Sequence, residues 1–323
     1  MSNININIKN KRILFFYTDL KFKDYVKENN PKIYSESIFE KGGLQEYNKN
    51  DFIDIEILSI FIDSQLTKDE LKKFPKLKLI ATRGTGIDHI DQDYCEKNNI
   101  KIKNVSDYGS QTVAEFALSS LLYQLKNLGN TNVDKENRGL DLADKTIGVI
   151  GFGKIGKNFV KLVSPFGVKI LVSDPYPDKE FTKKFNLKFV SLKNLLQNSD
   201  IISIHAPLCK STYHLLGKKE IGLMKDGVIL VNTARGAILD TKYLFNALKS
   251  GKISEASLDV LEEENDLVLK NTKNLNKKRK DILQLNRQII KMKNVFYTSH
   301  QAYNTKEAVK RIWKKTIDNI KNN

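Results

Sequence analysis

An arginine, a late histidine and a run of acids carry the chemistry this chain can do. Arg235 closes the apolar stretch VILVNTARG, and a permanently charged guanidinium at the mouth of a buried strand needs an anion to face. His300 ends the stretch NVFYTSH, while SLDVLEEE supplies Asp259 followed by Glu262, Glu263 and Glu264. A guanidinium grips a carboxylate through two parallel N–H bonds, and an imidazole can hand a proton to a carbonyl oxygen. A carboxylate bonded to that imidazole orients it and raises its pKa, so that it stays protonated. Cation, acid and imidazole together suit the reduction of a 2-keto acid, whose carbonyl carbon takes a hydride while its oxygen takes a proton.

A hydride source is written in TIGVIGFGKIG, which sets Gly151, Gly153 and Gly156 between an apolar strand and the helical KNFVKLVSPFG. The first glycine permits a tight turn, the second lets backbone approach a pyrophosphate, and the third lets helix and strand pack closely. The next strand ends LVSD, placing Asp174 where an acid accepts hydrogen bonds from an adenosine ribose. PYPD follows, with no arginine for a 2′-phosphate, which favours NAD over NADP.

These residues need sheets to hold them. Short β-type runs alternate with helical patterns throughout, the signature of an α/β chain with parallel sheets and flanking helices. RILFFYT (12–18), IEILSIF (55–61), LKLIATRG (77–84) and IKIKNVS (100–106) are expected to form a first sheet of four strands. KTIGVIGFG, VKILVSD, DIISIHAP, DGVILVNTARG, ISEASLDV and NVFYTSH are expected to form a second, of six. Between them TVAEFALSSLLYQLKNL (112–128) reads as a long, largely buried helix, followed by a polar linker to about Arg138. The last helix, TKEAVKRIWKKTIDNI (305–320), is expected to return to the first domain. With 323 residues and 40% hydrophobic content, two domains of ordinary size are expected.

Composition trims the alternatives. No apolar run approaches a bilayer span and the N-terminus has no secretory pattern, so a cytoplasmic chain without a membrane partner is expected. Cys95 and Cys209 form neither a disulfide framework nor metal spacing, and no metal is expected. The formal charge of +16 is spread along the chain rather than gathered into a nucleic-acid footprint. The dense run NKKRK (276–280) reads as a solvated face.

Read in order, ATRGTGIDHID, DYGSQTVAEFAL, GLDLADKTIGVIGFGKIG, DIISIHAPL, LMKDGVILVNTARGAILD, SLDVLEEE and FYTSHQAYNTKEAVKRI resemble the D-2-hydroxyacid dehydrogenases over nearly the whole chain. That resemblance implies a Rossmann-type NAD-binding domain over 108–301 and a flavodoxin-like substrate domain over 1–107 and 302–323. It makes Arg235 the ligand of the substrate carboxylate, His300 the acid/base and Glu264 its partner. Thr85, Gly86 and Tyr108 become substrate contacts. Around the cofactor it sets Gly151, Gly153, Lys154, Ile155, Gly156, Asp174, His205, Pro207, Thr233, Ala234 and Asp259. Tyr108, the segment SHQAYNT and the long insertion between Glu264 and Asn294 are most similar to the D-lactate dehydrogenase branch, which implies pyruvate and D-lactate, and a homodimer. Asn265 and Ser299 stand where the family usually has prolines, which leaves Glu262 or Glu263 open as the partner of His300. Two alternatives accompany this expectation: a phosphoglycerate- or glycerate-type dehydrogenase, for which Arg83 is the obvious extra cation, and an NADH-sensing corepressor-like scaffold.

Overall fold

The computed structural model describes residues 12–44, 52–61, 64–129, 138–268 and 275–322. The polar linker at 130–137 and residues 269–274 of the insertion lie outside them. The chain divides into two compact units, Met1–Tyr108 with Thr305–Asn323, and Gly109–Asn304.

The first unit is built on five parallel strands, β1 (Ile13–Phe15), β2 (Ser37–Phe39), β3 (Ile57–Ile60), β4 (Leu79–Thr82) and β5 (Lys101–Lys103), in the order β2-β1-β3-β4-β5. Parallel strands are joined by crossovers that cover both faces, which is why β1 and β4 are buried along their whole length and apolar except for Thr82. The last helix, Lys306–Lys321, packs in this unit: Ile317 and Ile320 join the core with Ile13, Phe15, Leu79 and Ala81 of the sheet, and Trp313 lies 5.8 Å from Phe22 and 5.5 Å from Tyr25 of the helix Leu20–Asn29, ring to ring.

The second unit holds seven parallel strands: β6 (Thr146–Ile150), β7 (Lys169–Ser173), β8 (Lys188–Phe189), β9 (Ile201–Ile204), β10 (Val228–Asn232), β11 (Ile253–Leu258) and β12 (Val295–Tyr297). Their order is β12-β11-β10-β9-β6-β7-β8, so the direction of winding reverses between β6 and β9. Ligand crevices of open α/β sheets form at such a reversal, beyond the strands' C-terminal ends. All five residues of β10 and all four of β9 are buried, and each such aliphatic side chain contributes about 1.5–3 kcal/mol. The helix Ser110–Leu125 belongs to this unit and buries Ala114, Ala117, Leu121 and Leu125.

Each sheet has one strand more than the sequence pattern predicts. β2 is three residues long and β8 only two, and both lie at a sheet edge. Strands this short carry no periodicity; they exist because β1 and β7 offer open ladders for them to join.

Candidate active site

Parallel strands bring all their C-terminal ends to one edge. In the second unit that edge presents Gly151 after β6, Asp174 after β7, His205 after β9, Arg235 after β10, Asp259 after β11 and His300 after β12.

The nucleotide end follows from three glycines. Gly151 has φ +91, and a Cβ there would strike the backbone of His205 and Ala206, so the turn and the close approach of β6 to β9 both require glycine. A Cβ on Gly156 would strike the carbonyl oxygen of Gly151, so this residue brings the helix Lys154–Val163 down on the strand. Gly153 is different: its Cβ would meet nothing within 4 Å, so the protein's own packing gives no reason for it. It caps the helix without any side-chain bond, and space left beside a helix N-terminus is what a pyrophosphate site requires. Lys154 and Ile155 open this helix. Asp174 is held by the Phe152 N–H (2.7 Å) and the Tyr176 N–H (2.8 Å), each to one of its oxygens. Further along the edge, His205 Nδ1 and Thr233 Oγ1 are buried with no protein partner, while Pro207 is exposed and Ala234 half-buried beside them. Buried polar atoms left open at the crevice are what a bound nucleotide would satisfy, so the residues present fit NAD.

The arginine turn begins with Asn232, which is fully buried. Its side chain accepts from the Ala234 N–H (3.0 Å) and donates to the Arg235 carbonyl (3.0 Å), fixing the turn from which Arg235 projects. Gly236 follows because any Cβ there would collide with the backbone of Leu261 and Glu262. The arginine turn is thereby seated directly against the acid loop.

In that loop the three glutamates have three different fates. Glu262 is buried, accepting from Thr241 Oγ1 (2.8 Å) and bonding His214 Nε2 (2.8 Å). Glu263 faces Arg279 at 3.3 Å, and burial raises its pKa while Arg279 opposes the rise. Glu264 alone meets His300, with Oε1 2.7 Å from Nδ1, and its Oε2 accepts from the Leu261 N–H (3.1 Å). A carboxylate only accepts, so Nδ1 carries the proton of this bond and Nε2 is the nitrogen turned away from the acid. His300 sits at φ +50, a backbone region that non-glycine residues rarely occupy.

Asp259 explains how that conformation is held. Its Oδ1 accepts from Thr298 Oγ1 (2.6 Å) and the Gln301 N–H (2.7 Å), and its Oδ2 from the Ala302 N–H (2.9 Å). Burial raises the Asp259 pKa and these three bonds oppose the rise. The aspartate therefore anchors the turn around His300, a role the sequence did not reveal. Asn232 was missed as well, although its place three residues before Arg235 was visible. His214 reaches this loop only at Glu262, and His205 and His89 stay out of the arrangement. His205 bonds Ser203 Oγ (2.9 Å) and burial pushes its pKa down to about 3, so it is neutral. His89 is buried against Thr82 (3.3 Å).

In the first unit, Thr85 and Gly86 lie just past β4 and Tyr108 past β5, at the C-terminal edge of that sheet. Thr85 Oγ1 donates to the Val105 carbonyl (3.1 Å), and the Tyr108 carbonyl accepts from Arg311 Nε (2.7 Å). NKKRK is more than a solvated face: it starts the helix Lys277–Ile289, and Arg279 within it binds Asp266 through Nε (2.9 Å) and Nη2.

Residues 118–302 match the family model described as D-isomer specific 2-hydroxyacid dehydrogenase, NAD binding domain. The chain belongs to the D-isomer specific 2-hydroxyacid dehydrogenases. It is an NAD-dependent oxidoreductase of 2-hydroxy acids, and the glycine turn and open buried groups described above lie in its NAD-binding domain. Among relatives of this dehydrogenase, the D-specific alpha-keto acid dehydrogenase of Enterococcus faecalis is 39% identical over 254 residues, 76% of this chain and 75% of that one. The D-lactate dehydrogenase of Escherichia coli is 32% identical over 321 residues, 90% of this chain and 95% of its own. The crystal structure of D-lactate dehydrogenase from Aquifex aeolicus, complexed with NAD and lactic acid, superposes with a TM-score of 0.87 at 33% identity, covering 96% of this chain and 94% of that one. No helix among the described residues is long and apolar enough to cross a membrane.

Proposed function

We propose that this dehydrogenase reduces a small unphosphorylated 2-keto acid, pyruvate to D-lactate, with His300 as proton donor, Glu264 as its partner and Arg235 as the ligand of the substrate carboxylate. The observation that carries the reading is the 2.7 Å bond between Glu264 and His300 on the strand edge that also bears Arg235. NAD, when bound in its reduced form, supplies the hydride; Gly151, Gly153, Lys154, Ile155, Gly156 and Asp174 would hold it, with His205, Pro207, Thr233, Ala234 and Asp259 along its nicotinamide half. The chain's own work is then positioning and proton transfer. Arg235 pairs with the substrate carboxylate and orients the keto group. His300 gives the Nε2 proton to the oxygen as negative charge develops there, and Glu264 stabilises the imidazolium that precedes the transfer. In the reverse direction His300 takes the hydroxyl proton back. Thr85, Gly86 and Tyr108 are carried into the proposal as substrate contacts on the family resemblance.

The choice against a phosphorylated substrate rests on Arg83. A phosphoglycerate-type enzyme needs an extra cation for the phosphate, and Arg83 is 5% exposed, with Nε directed at the Ile60 carbonyl (3.4 Å), Nη1 at the Tyr17 carbonyl (3.3 Å) and Nη2 at the Phe16 carbonyl. Its donors are committed to the ends of β1 and β3. The choice of pyruvate is supported by the near full-length similarity to D-lactate dehydrogenases. A homodimer in the cytoplasm completes the reading, to be tested by sedimentation and by fractionation. The deciding experiment follows NADH oxidation with pyruvate, phenylpyruvate, 2-ketoisocaproate, hydroxypyruvate, glyoxylate and 3-phosphohydroxypyruvate. Pyruvate is expected to give the highest kcat/KM; preference for the phosphorylated acid would overturn the reading.

A further inference from the structure

The helix Lys277–Ile289 lies in the insertion between β11 and β12, and its Arg279 and Asn286 reach the loop that carries Glu264. We propose that this helix is a positioning element for proton transfer, with Arg279 and Asn286 holding the turn that aims Glu264 at His300. The proposal rests on the acid/base reading of those two residues.

Three observations on the turn carry it. Asp266 sits two residues beyond Glu264 with its side chain only 2% exposed, and Arg279 meets both of its oxygens. The N–H of Asp266 in turn donates to the Glu263 carbonyl (2.9 Å), so the arginine grips the short helix Glu264–Val268 from its far side. Asn286, fully buried, donates to the Glu262 carbonyl (2.7 Å) and fixes the near side. Between these two anchors Glu263 adopts φ +52, a conformation that a non-glycine residue keeps only when its neighbours over-determine it. Arg279 is itself set by the first turn of its helix, where Asn276 Oδ1 accepts its backbone N–H (2.9 Å). Without the guanidinium, Asp266 would be a buried and uncompensated carboxylate, and the turn would have to move to reach water. Lys cannot reproduce the two-pronged grip, because its ammonium is a single point charge.

The other titratable neighbours of the loop are Lys278 on the same helix, Tyr213 and His214 after β9, Asp259 after β11 and Tyr297 on β12. Changing Arg279 also removes the cation that faces Glu263, so the diagnostic is a change in the pH profile of kcat/KM that Arg279→Ala shares with Glu264→Gln.

The test compares full-length wild type, Arg279→Ala, Arg279→Lys, Asn286→Ala and Glu264→Gln, reading kcat, KM for the keto acid turned over, the pH profile of kcat/KM and thermal unfolding. Arg279→Ala is expected to lower kcat about tenfold or more with KM little changed, since small misplacements of catalytic groups are costly. Its pH profile should change as that of Glu264→Gln does, with partial recovery in Arg279→Lys. An Arg279→Ala enzyme that keeps the wild-type profile while Glu264→Gln changes it overturns this proposal and leaves the acid/base reading intact. A Glu264→Gln enzyme with an unchanged profile overturns both. Should Arg279→Ala fail to fold, Asn286→Ala, which keeps the ion pair, carries the same comparison.

Discussion

The two edges of the seven-stranded sheet obey different rules. At the N-terminal edge, charges are satisfied by each other and by backbone: Asp200 takes the Thr146 N–H (2.8 Å) and Lys225 (2.8 Å), and Lys252 pairs with Asp226 (2.7 Å). At the C-terminal edge, His300 and Glu263 hold left-handed backbone, and His205 and Thr233 keep buried polar atoms open. Left-handed backbone occurs at both edges, at Asp144 before β6 and Asn186 before β8 as well, and Glu255 near the start of β11 also keeps a buried oxygen open. What sets the C-terminal edge apart is that its open polar atoms, on His205 and Thr233, follow neighbouring strands at the crevice, where a ligand can use them. Both edges are cut from the same strands, so the difference lies in the residues that follow the strands rather than in the sheet.

That contrast can be broken most directly at His300. His300→Ala should reduce kcat for keto-acid reduction by roughly 10²–10⁴ with little change in thermal unfolding, measured by NADH oxidation and calorimetry; a strong loss of stability with modest loss of rate would make this edge structural too. Arg235→Lys removes the two-pronged grip while keeping the charge, and should cost about a hundredfold in kcat/KM, seen largely in KM. Gly236→Ala forces a methyl group into the Leu261–Glu262 backbone, and roughly 1–3 kcal/mol of stability should disappear together with activity, as urea titration would report.

His205 supplies a pH test of the same edge. Its folded pKa, pushed down to about 3 by burial, lies below the ordinary value of 6.5, so its neutral form contributes stability above pH 6.5 that is lost as pH falls toward 3. Between pH 7 and 5, wild type should lose about 2 kcal/mol more than His205→Asn, by denaturant unfolding at the two pH values. The smallest effect belongs to the opposite edge: Lys252→Met, which breaks the pair with the exposed Asp226, should change stability by less than about 1 kcal/mol and leave kcat untouched.

Much of this arrangement was legible before any coordinates. Gly151 and Gly156 act through neighbouring backbone, and Arg235 and His300 are placed simply by ending strands that are parallel. Where the sequence pattern failed, the deciding contact was remote. β2 and β8 are too short to show a period, and they form only because an open ladder stands beside them. Which of three consecutive glutamates meets His300 depends on a loop packed between Gly236 and the helix Lys277–Ile289, and no local rule distinguishes Glu264 from its neighbours. Arg279 read as one more lysine-like charge in a basic run until Asp266, thirteen residues earlier, came within its reach.

By itself, then, the sequence determined the parallel architecture, the nucleotide turn and the set of residues able to do chemistry, because hydrophobic runs and glycine turns are dictated by short-range backbone physics. Only the tertiary structure decided which of those residues touch. A hydrogen bond such as that between Glu264 and His300 spans 36 positions, and its geometry is the sum of every packing contact between them.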